Sequence, residues 1–362
     1  MPHLLSRDLC RPMTGQRFVV GRETYVMGGA VGDGAVGLVR KATRTRDSGV
    51  VAVKLLAPDP KYIDENVFDD VAARFRREGE RGLRLRHPHL VTIEGYSQNE
   101  GAAAFEQGGT SNPLLVMEFI RGRTLESYIR NLDDDEDGRF RITREKLNVA
   151  IQVAGAVEDL HQKRLVHRDI KPANIFLRRS DVPGELPLAK IGDFGVMKRG
   201  DFHASLSTGL LTATTQKGLG TLKYMSPEAA IRPKEVTVRS DIYSIGITLF
   251  ELFSGQILAS AHHVFEIMNA RLTRGTTTSR FLDMGYVLAD EDEGIAEMIL
   301  DMHLRGQSGR PSIEKVRGRL EWEYESRYDS SWQEDLYASN SDSVKNRKRP
   351  TRGLKRTPDR ES

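Results

Sequence analysis

The chain has 362 residues, 38% apolar and 29% charged, which is long enough for two lobes with sizeable cores. One cysteine, Cys10, excludes an internal disulfide framework and makes a reducing, cytoplasmic setting the default. The formal charge is only +3, and Ser339–Ser362 alone carries eight Lys or Arg against three Asp or Glu; the rest is therefore at −2 (3 − 5), which excludes a general polyanion binder.

Residues 1–21 read as a leader with an early strand and no apolar core of a signal peptide. Val31-Gly32-Asp33-Gly34-Ala35-Val36-Gly37-Leu38-Val39 follows, with apolar residues on both sides, as in a strand–turn–strand hairpin. Its glycines allow close backbone approach to phosphates and positive φ. A dinucleotide fold would need a helix directly after the third glycine. Instead Leu38 to Thr43 continues as a strand, and Val50 to Lys54 makes another. Asp64 to Leu85 has helical spacing, with Phe68, Val71, Ala72, Phe75, Gly79, Gly82 and Leu83 on one face. Glu78 borders that face, while Arg76, Arg77, Glu80 and Arg81 read as solvated. Gly79 and Gly82 each soften such a helix by about 1 kcal/mol relative to Ala.

Asn99 to Asn112 is rich in small and polar residues and is expected to be an extended loop. Leu114 to Ile120 reads as a buried strand running into a connector, where Gly122 frees the chain to cross to a second lobe. No apolar run is long enough to span a bilayer. The acidic run Asp133-Asp134-Asp135-Glu136-Asp137 reads as a solvated loop, with steering of basic substrates as the minor reading. Thr143 to Gln162 is a long amphipathic helix with Leu147, Ala150, Ile151, Ala154, Val157 and His161 on one face; His161 reads as a core histidine.

Val166-His167-Arg168-Asp169-Ile170-Lys171-Pro172-Ala173-Asn174 and Ile191-Gly192-Asp193-Phe194-Gly195 hold the chemistry. Asp169 can accept a proton from an attacking hydroxyl. Asn174 and Asp193 offer hard oxygen ligands of the kind Mg²⁺ takes, and Lys171 offers positive charge to a migrating phosphoryl group. Between Asp193 and Glu228 lies a hydroxyl-rich stretch with Ser205, Ser207, Thr208, Thr212, Thr214 and Thr215. Ser240 to Gly255 is an apolar helix stopped by glycine, and Ile313 to about Tyr324 is a closing helix. From about Asp329 apolar content collapses. Residues 326–362 read as a basic, disordered tail, in which nucleic-acid contact by Lys345 to Arg356 is the minor reading.

H-R-D-I-K-x-x-N followed by D-F-G resembles the catalytic loop and metal motif of protein kinases. Val51-Ala52-Val53-Lys54 is similar to their V-A-I-K strand, and Ser226-Pro227-Glu228 to A-P-E with Ser for Ala. The resemblance covers about 22–325, and the compact design, including Leu85-Arg86-His87-Pro88, looks most similar to bacterial eukaryotic-like (Hanks-type) kinases. It implies an α+β, bilobal kinase fold: a small antiparallel-sheet N-lobe with helix C at about 22–118, and a larger, mainly helical C-lobe at about 122–325.

By the same resemblance, Lys54 grips phosphates and pairs with Glu78, which lies nine residues before His87, with Glu80 as the rival. Met117 guards the back of the adenine pocket, with the Glu118 carbonyl and the Ile120 N–H on the adenine edge. Val31, Gly32, Asp33, Gly34, Ala35, Val36, Gly37, Val39 and Ala52 complete the nucleotide site. Asp169, Lys171 and Asn174 carry the transfer, and Asn174 and Asp193 hold Mg²⁺, with Mn²⁺ as a substitute. His167 and Asp241 support the catalytic loop, and Arg310 pairs with Glu228. Lys171 and Thr221 favour Ser or Thr acceptors in protein substrates. Self-association is expected for phosphorylation in trans at Thr214 or Thr215, with Thr212 in reserve, through an Arg168–phosphate contact. The competing readings are a nucleotide-binding pseudokinase scaffold, disfavoured because no transfer residue is missing, and small-molecule phosphotransfer, disfavoured by the long segment before Ser226.

Overall fold

The computed structural model describes residues 14–34, 36–59, 68–97, 112–132, 139–179, 185–193, 223–258, 286–303 and 306–328, with 277, 279, 281 and 284. Ala35, the 99–111 stretch, the acidic run, the hydroxyl-rich segment, Phe194, Gly195, Thr221 and the tail from 329 on lie outside them, while 326–328, expected to begin that tail, end a helix.

The first layer is a six-stranded, wholly antiparallel sheet in the order β1-β2-β3-β4-β6-β5. Its strands are β1 (Arg17–Val20), β2 (Glu23–Asp33), β3 (Gly37–Arg44), β4 (Val50–Leu56), β5 (Ile93–Ser97) and β6 (Leu114–Glu118). Alternation of apolar residues buries Phe18, Tyr25, Met27, Val51, Val53, Leu55, Leu114 and Val116 as one cluster on one face. On the other face lies α1 (Phe68–Gly82), pressed down by Val71 and Phe75. The strand after the glycine hairpin, β3, is the element that a dinucleotide fold would replace with a helix.

The hairpin glycines depart from the expected positive φ. Gly32, Gly34 and Gly37 all lack positive φ. At Gly37 a Cβ would sit 2.1 Å from the Leu55 carbonyl oxygen, so the residue is fixed by strand proximity. Gly122 is likewise not a swivel. It lies in β7 (Gly122–Thr124), where a Cβ would meet the Leu177 carbonyl oxygen at 1.9 Å. Gly79 and Gly82 let α1 approach the sheet: added Cβ atoms would meet the Tyr96 ring at 2.5 Å and Ile93 Cδ1 at 2.2 Å.

The second part is mainly helical. Here α2 (Leu125–Arg130), α3 (Arg144–Gln162), α4 (Pro227–Ile231), α5 (Val238–Ser254), α6 (Glu293–Met302) and α7 (Ile313–Tyr328) surround one apolar core. Thr143 caps α3, its hydroxyl accepting from the Lys146 N–H. The helix is buried almost all round, as is α5, whose residues 240–254 are buried throughout. Gly255 ends α5 in the left-handed conformation at φ 72°. The closing helix runs four residues past Tyr324, to Tyr328. A small antiparallel sheet, β10-β9-β7, with β9 (Ile175–Arg178) and β10 (Leu188–Ile191), carries the chemistry-bearing loops at its ends. A two-residue parallel pairing joins β8 (Arg139–Phe140) to β11 (Val287–Leu288).

Candidate active site

Strand register brings the first group together. Gly32 lies opposite Val39, Val39 opposite Lys54, and Ala52 opposite Met117. One row across three strands therefore runs from the glycine hairpin to the lysine. Val31 is half exposed at the hairpin, Ala52 is buried, and Met117, Glu118 and Ile120 are partly buried along the end of β6 and its connector. Asp33 and Gly34 are exposed, and Val36 packs against the main core.

Lys54 leaves β4 toward α1. Its Nζ donates to both oxygens of Glu78 at 3.0 Å and to Asp193 Oδ1 at 2.8 Å. Glu78 does not merely border the apolar face but is 4% exposed within it. Burial pushes its carboxyl up to about 7, against the pull of Lys54. Burial also opposes the Lys54 ammonium, yet the Asp193 and Glu78 carboxylates outweigh it and keep its pKa above the usual lysine range. The Lys54 charge holds the Asp193 carboxyl down at about 2.

The second group is built by the loop between α3 and β9. Asp241, on α5 and fully buried, accepts from the His167 N–H at 2.9 Å and the Arg168 N–H at 2.8 Å. His161 Nε2 lies 2.9 Å from the same carboxylate, so this core histidine belongs to the loop's support. With two successive N–H groups aimed at one carboxylate, Arg168 is held at φ 69°, a conformation that costs a non-glycine residue on the order of 1 kcal/mol. His167 is buried, and its Nδ1 accepts from the Asp169 N–H at 3.3 Å. Asp169 is then gripped from two sides. Lys171 Nζ donates to both its oxygens at 2.9 Å, and Asn174 Nδ2 donates to its backbone carbonyl and to Oδ2 at 2.8 Å.

The groups meet through the backbone. The Gly192 N–H donates to the Asn174 carbonyl at 2.9 Å, and Asp193 next to it also takes positive φ, 61°. The fit to a divalent cation can be judged from the donors. Asp193 is an ionised carboxylate with a 44% exposed side chain, and Asn174 has its amide N–H₂ committed to Asp169, leaving the amide oxygen as its free donor atom. Among the described residues no three His, Cys, Asp or Glu side chains converge as a self-sufficient site. One carboxylate plus one neutral oxygen fits Mg²⁺ that arrives with substrate phosphates.

Farther out, Arg310 and Glu228 form the bidentate pair read from the sequence, at 2.7 and 2.9 Å. Two features escaped that reading. Glu251 on α5 accepts from Lys223, the Tyr224 hydroxyl and the Leu258 N–H, fixing the segment before α4. Lys190 in β10 pairs with Glu118. The only trace of either in the sequence is a charged residue inside an apolar run.

A model of the protein kinase domain matches residues 25–319, and the chain belongs to that family. It is 33% identical over 233 residues to a probable serine/threonine-protein kinase PknB of Bifidobacterium longum, covering 64% of this chain and 30% of that protein. It is 36% identical over 207 residues to the serine/threonine-protein kinase PrkC of Bacillus subtilis, covering 57% of this chain and 26% of that protein. The chain thus spans about a third or less of the length of these curated relatives. The crystal structure of the Mycobacterium tuberculosis PknI kinase domain superposes with a TM-score of 0.56 at 20% identity, over 86% of this chain and 99% of that one, a likeness of fold. The bilobal kinase fold expected from the motifs is therefore the fold observed. Among the described residues no helix is long and apolar enough to cross a membrane.

Proposed function

We propose that this protein is an ATP-dependent serine/threonine protein kinase that passes the γ-phosphoryl group of ATP to hydroxyls of protein substrates. One observation carries the reading: Lys54 bridges Glu78 and Asp193, while Lys171 and Asn174 hold Asp169. That is the charge layout phosphoryl transfer needs, with cations toward the phosphates and an acceptor carboxylate toward the hydroxyl.

In this proposal Lys54, fixed by Glu78, positions the phosphates under the hairpin of Gly32, Gly34 and Gly37. Asp169 orients the Ser or Thr hydroxyl and accepts its proton. Lys171 steadies the moving phosphoryl group. Asn174 and Asp193 would hold Mg²⁺ or Mn²⁺, which neutralises phosphate charge when bound. The Glu118 carbonyl and Ile120 N–H would face the adenine edge, with Met117 behind it. Little covalent chemistry is left for the protein, so positioning and electrostatics supply most of the acceleration.

Autophosphorylation at Thr214 or Thr215, with self-association to permit it in trans, belongs to the same proposal, as does a cytoplasmic setting. The hydroxyl-rich segment and Arg168 support the first, and the single cysteine the last. Transfer of radiolabel from ATP to a generic basic protein tests the core claim. Label is expected for the natural chain and its loss in Asp169→Asn; nucleotide binding without any transfer would instead favour a scaffold. Phosphosite mapping of the active protein tests the activation-segment sites.

A further inference from the structure

The Lys190–Glu118 pair is not explained by the transfer chemistry. Lys190 sits in β10, whose other residues Leu188, Ala189 and Ile191 are buried and apolar, and it is itself only 7% exposed. A buried ammonium is expensive unless paired. Its Nζ lies 2.8 Å from Glu118 Oε2 and donates to the Leu90 carbonyl at 3.3 Å. Glu118 closes β6, and its carboxylate also accepts from the Thr92 N–H at 3.3 Å, while its own N–H donates to the Thr92 carbonyl at 2.8 Å. The partners lie 72 residues apart in the chain.

The two ends of this contact matter by position. Glu118 lies where β6 passes into the connector that would hold the adenine edge. Lys190 is three residues before Asp193, on a strand whose Ile191 exchanges backbone hydrogen bonds with His89 and Val91 at 2.9 and 2.8 Å. A shift of β10 along its axis would move Asp193; a shift of β6 would move the adenine edge. Among the described residues the ion pair is the side-chain bond joining them directly, with the lysine side chain 8% and the carboxylate side chain 26% exposed, so the attraction is only partly screened by water.

We propose that Lys190 and Glu118 are positioning residues that hold the adenine end and the metal end of the nucleotide site in register, and so set affinity for ATP and not for the protein acceptor. This rests on the reading of the cleft as a nucleotide site. Loss of the pair should act on nucleotide binding through geometry, as a misplacement of about 1 Å can cost a positioned reaction about a hundredfold.

The test uses the full chain with Lys190→Met, Lys190→Arg, Glu118→Gln and the Met/Gln double variant. A fluorescent ATP analogue reports binding, and separate KM values are taken for ATP and for a basic protein acceptor. Lys190→Met is expected to weaken analogue binding and raise the ATP KM about tenfold, with the acceptor KM moved less than about twofold. Lys190→Arg should recover most of that, because a guanidinium can still meet the carboxylate. The double variant should be no worse than the poorer single, since either change breaks the same bond.

Unchanged ATP binding in Lys190→Met, equal shifts in both KM values, no rescue by Arg, or additive single effects would each overturn the proposal. A natural chain that binds the analogue but transfers no phosphate would remove the kinase reading, and the binding arm alone would then decide this one. A natural chain that binds no nucleotide would remove both.

Discussion

Removing Arg310 should cost more stability than any other single side-chain deletion outside the apolar core. Its side chain is 1% exposed and makes two bonds to Glu228 at 2.7 and 2.9 Å and one to the Arg239 carbonyl at 3.0 Å. The Arg239 side chain in turn donates to the Arg310 carbonyl at 2.7 Å, and the Arg310 guanidinium lies over the Tyr243 ring at 5.2 Å. Among the described residues, the other side chain bonded to Glu228 is Ser240, its hydroxyl donating at 2.7 Å. Arg310→Met therefore leaves a 9%-exposed carboxylate with only neutral donors, the Ser240 hydroxyl and its own backbone N–H. Breaking a buried pair from one side costs about 3–5 kcal/mol. An unfolding entropy of about 2.1 cal/mol/K per residue, over about 300 residues, gives about 0.6 kcal/mol/K, so the midpoint should fall by about 5–8 °C. Arg310→Met/Glu228→Met should recover at least about half of that loss, because no lone charge remains. Thermal melts followed by circular dichroism measure both. A single variant melting within 1 °C of the parent, or a double variant worse than the single, would refute the assignment of this energy to an uncompensated charge.

Three further outcomes follow from the same packing. Burial holds His89 and His303 near pKa 4, below their ordinary 6.5. A depressed folded-state pKa means stability present above pH 6.5 and lost as pH falls toward 4, about 3 kcal/mol for each histidine; the stability deficit of His303→Asn against the parent should accordingly shrink between pH 7 and 4.5 in urea titrations. Gly79→Ala should lower the melting temperature although alanine favours helix by about 1 kcal/mol, since the new Cβ would lie 2.5 Å from Tyr96 Cγ and 2.8 Å from Leu115 Cδ2, with overpacking costing about 1–3 kcal/mol; a rise would show that α1 can lift off the sheet freely. Asp169→Asn should cut kcat by about a hundredfold or more while ATP binding holds, and a turnover loss below about fivefold would remove Asp169 from the role of base.

What could be read from the sequence divides by distance along the chain. Asp169, Lys171 and Asn174 lie within six residues, so their types and spacing already declare a chemistry, and the loop folds so that all three side chains meet. Asp241 and Arg310 are legible for another reason: the resemblance to protein kinases assigns them their buried partners, which neither residue's own neighbours in sequence reveal. The acidity of Glu78 was visible but its depth was not, because depth depends on how closely α1 approaches the sheet. That approach is set by Gly79 and Gly82, which local propensity counts only as weaknesses.

The same limit explains the misread glycines and the missed pairs. Propensity describes a residue against its neighbours in sequence, so Gly37 and Gly122 suggested free φ, whereas carbonyl oxygens at Leu55 and Leu177 are what forbid a side chain there. Lys190 and Glu118, or Lys223 and Glu251, meet only once strand order and helix packing are fixed. A charged residue in an apolar run is the one trace such pairs leave in sequence, and its partner is chosen by topology. Chemistry that must act on a substrate is compressed into short motifs, while the contacts that hold those motifs in place are spread over the whole fold. Mutations at the second kind of site should therefore move affinity or stability by graded amounts, and those at the first should remove turnover.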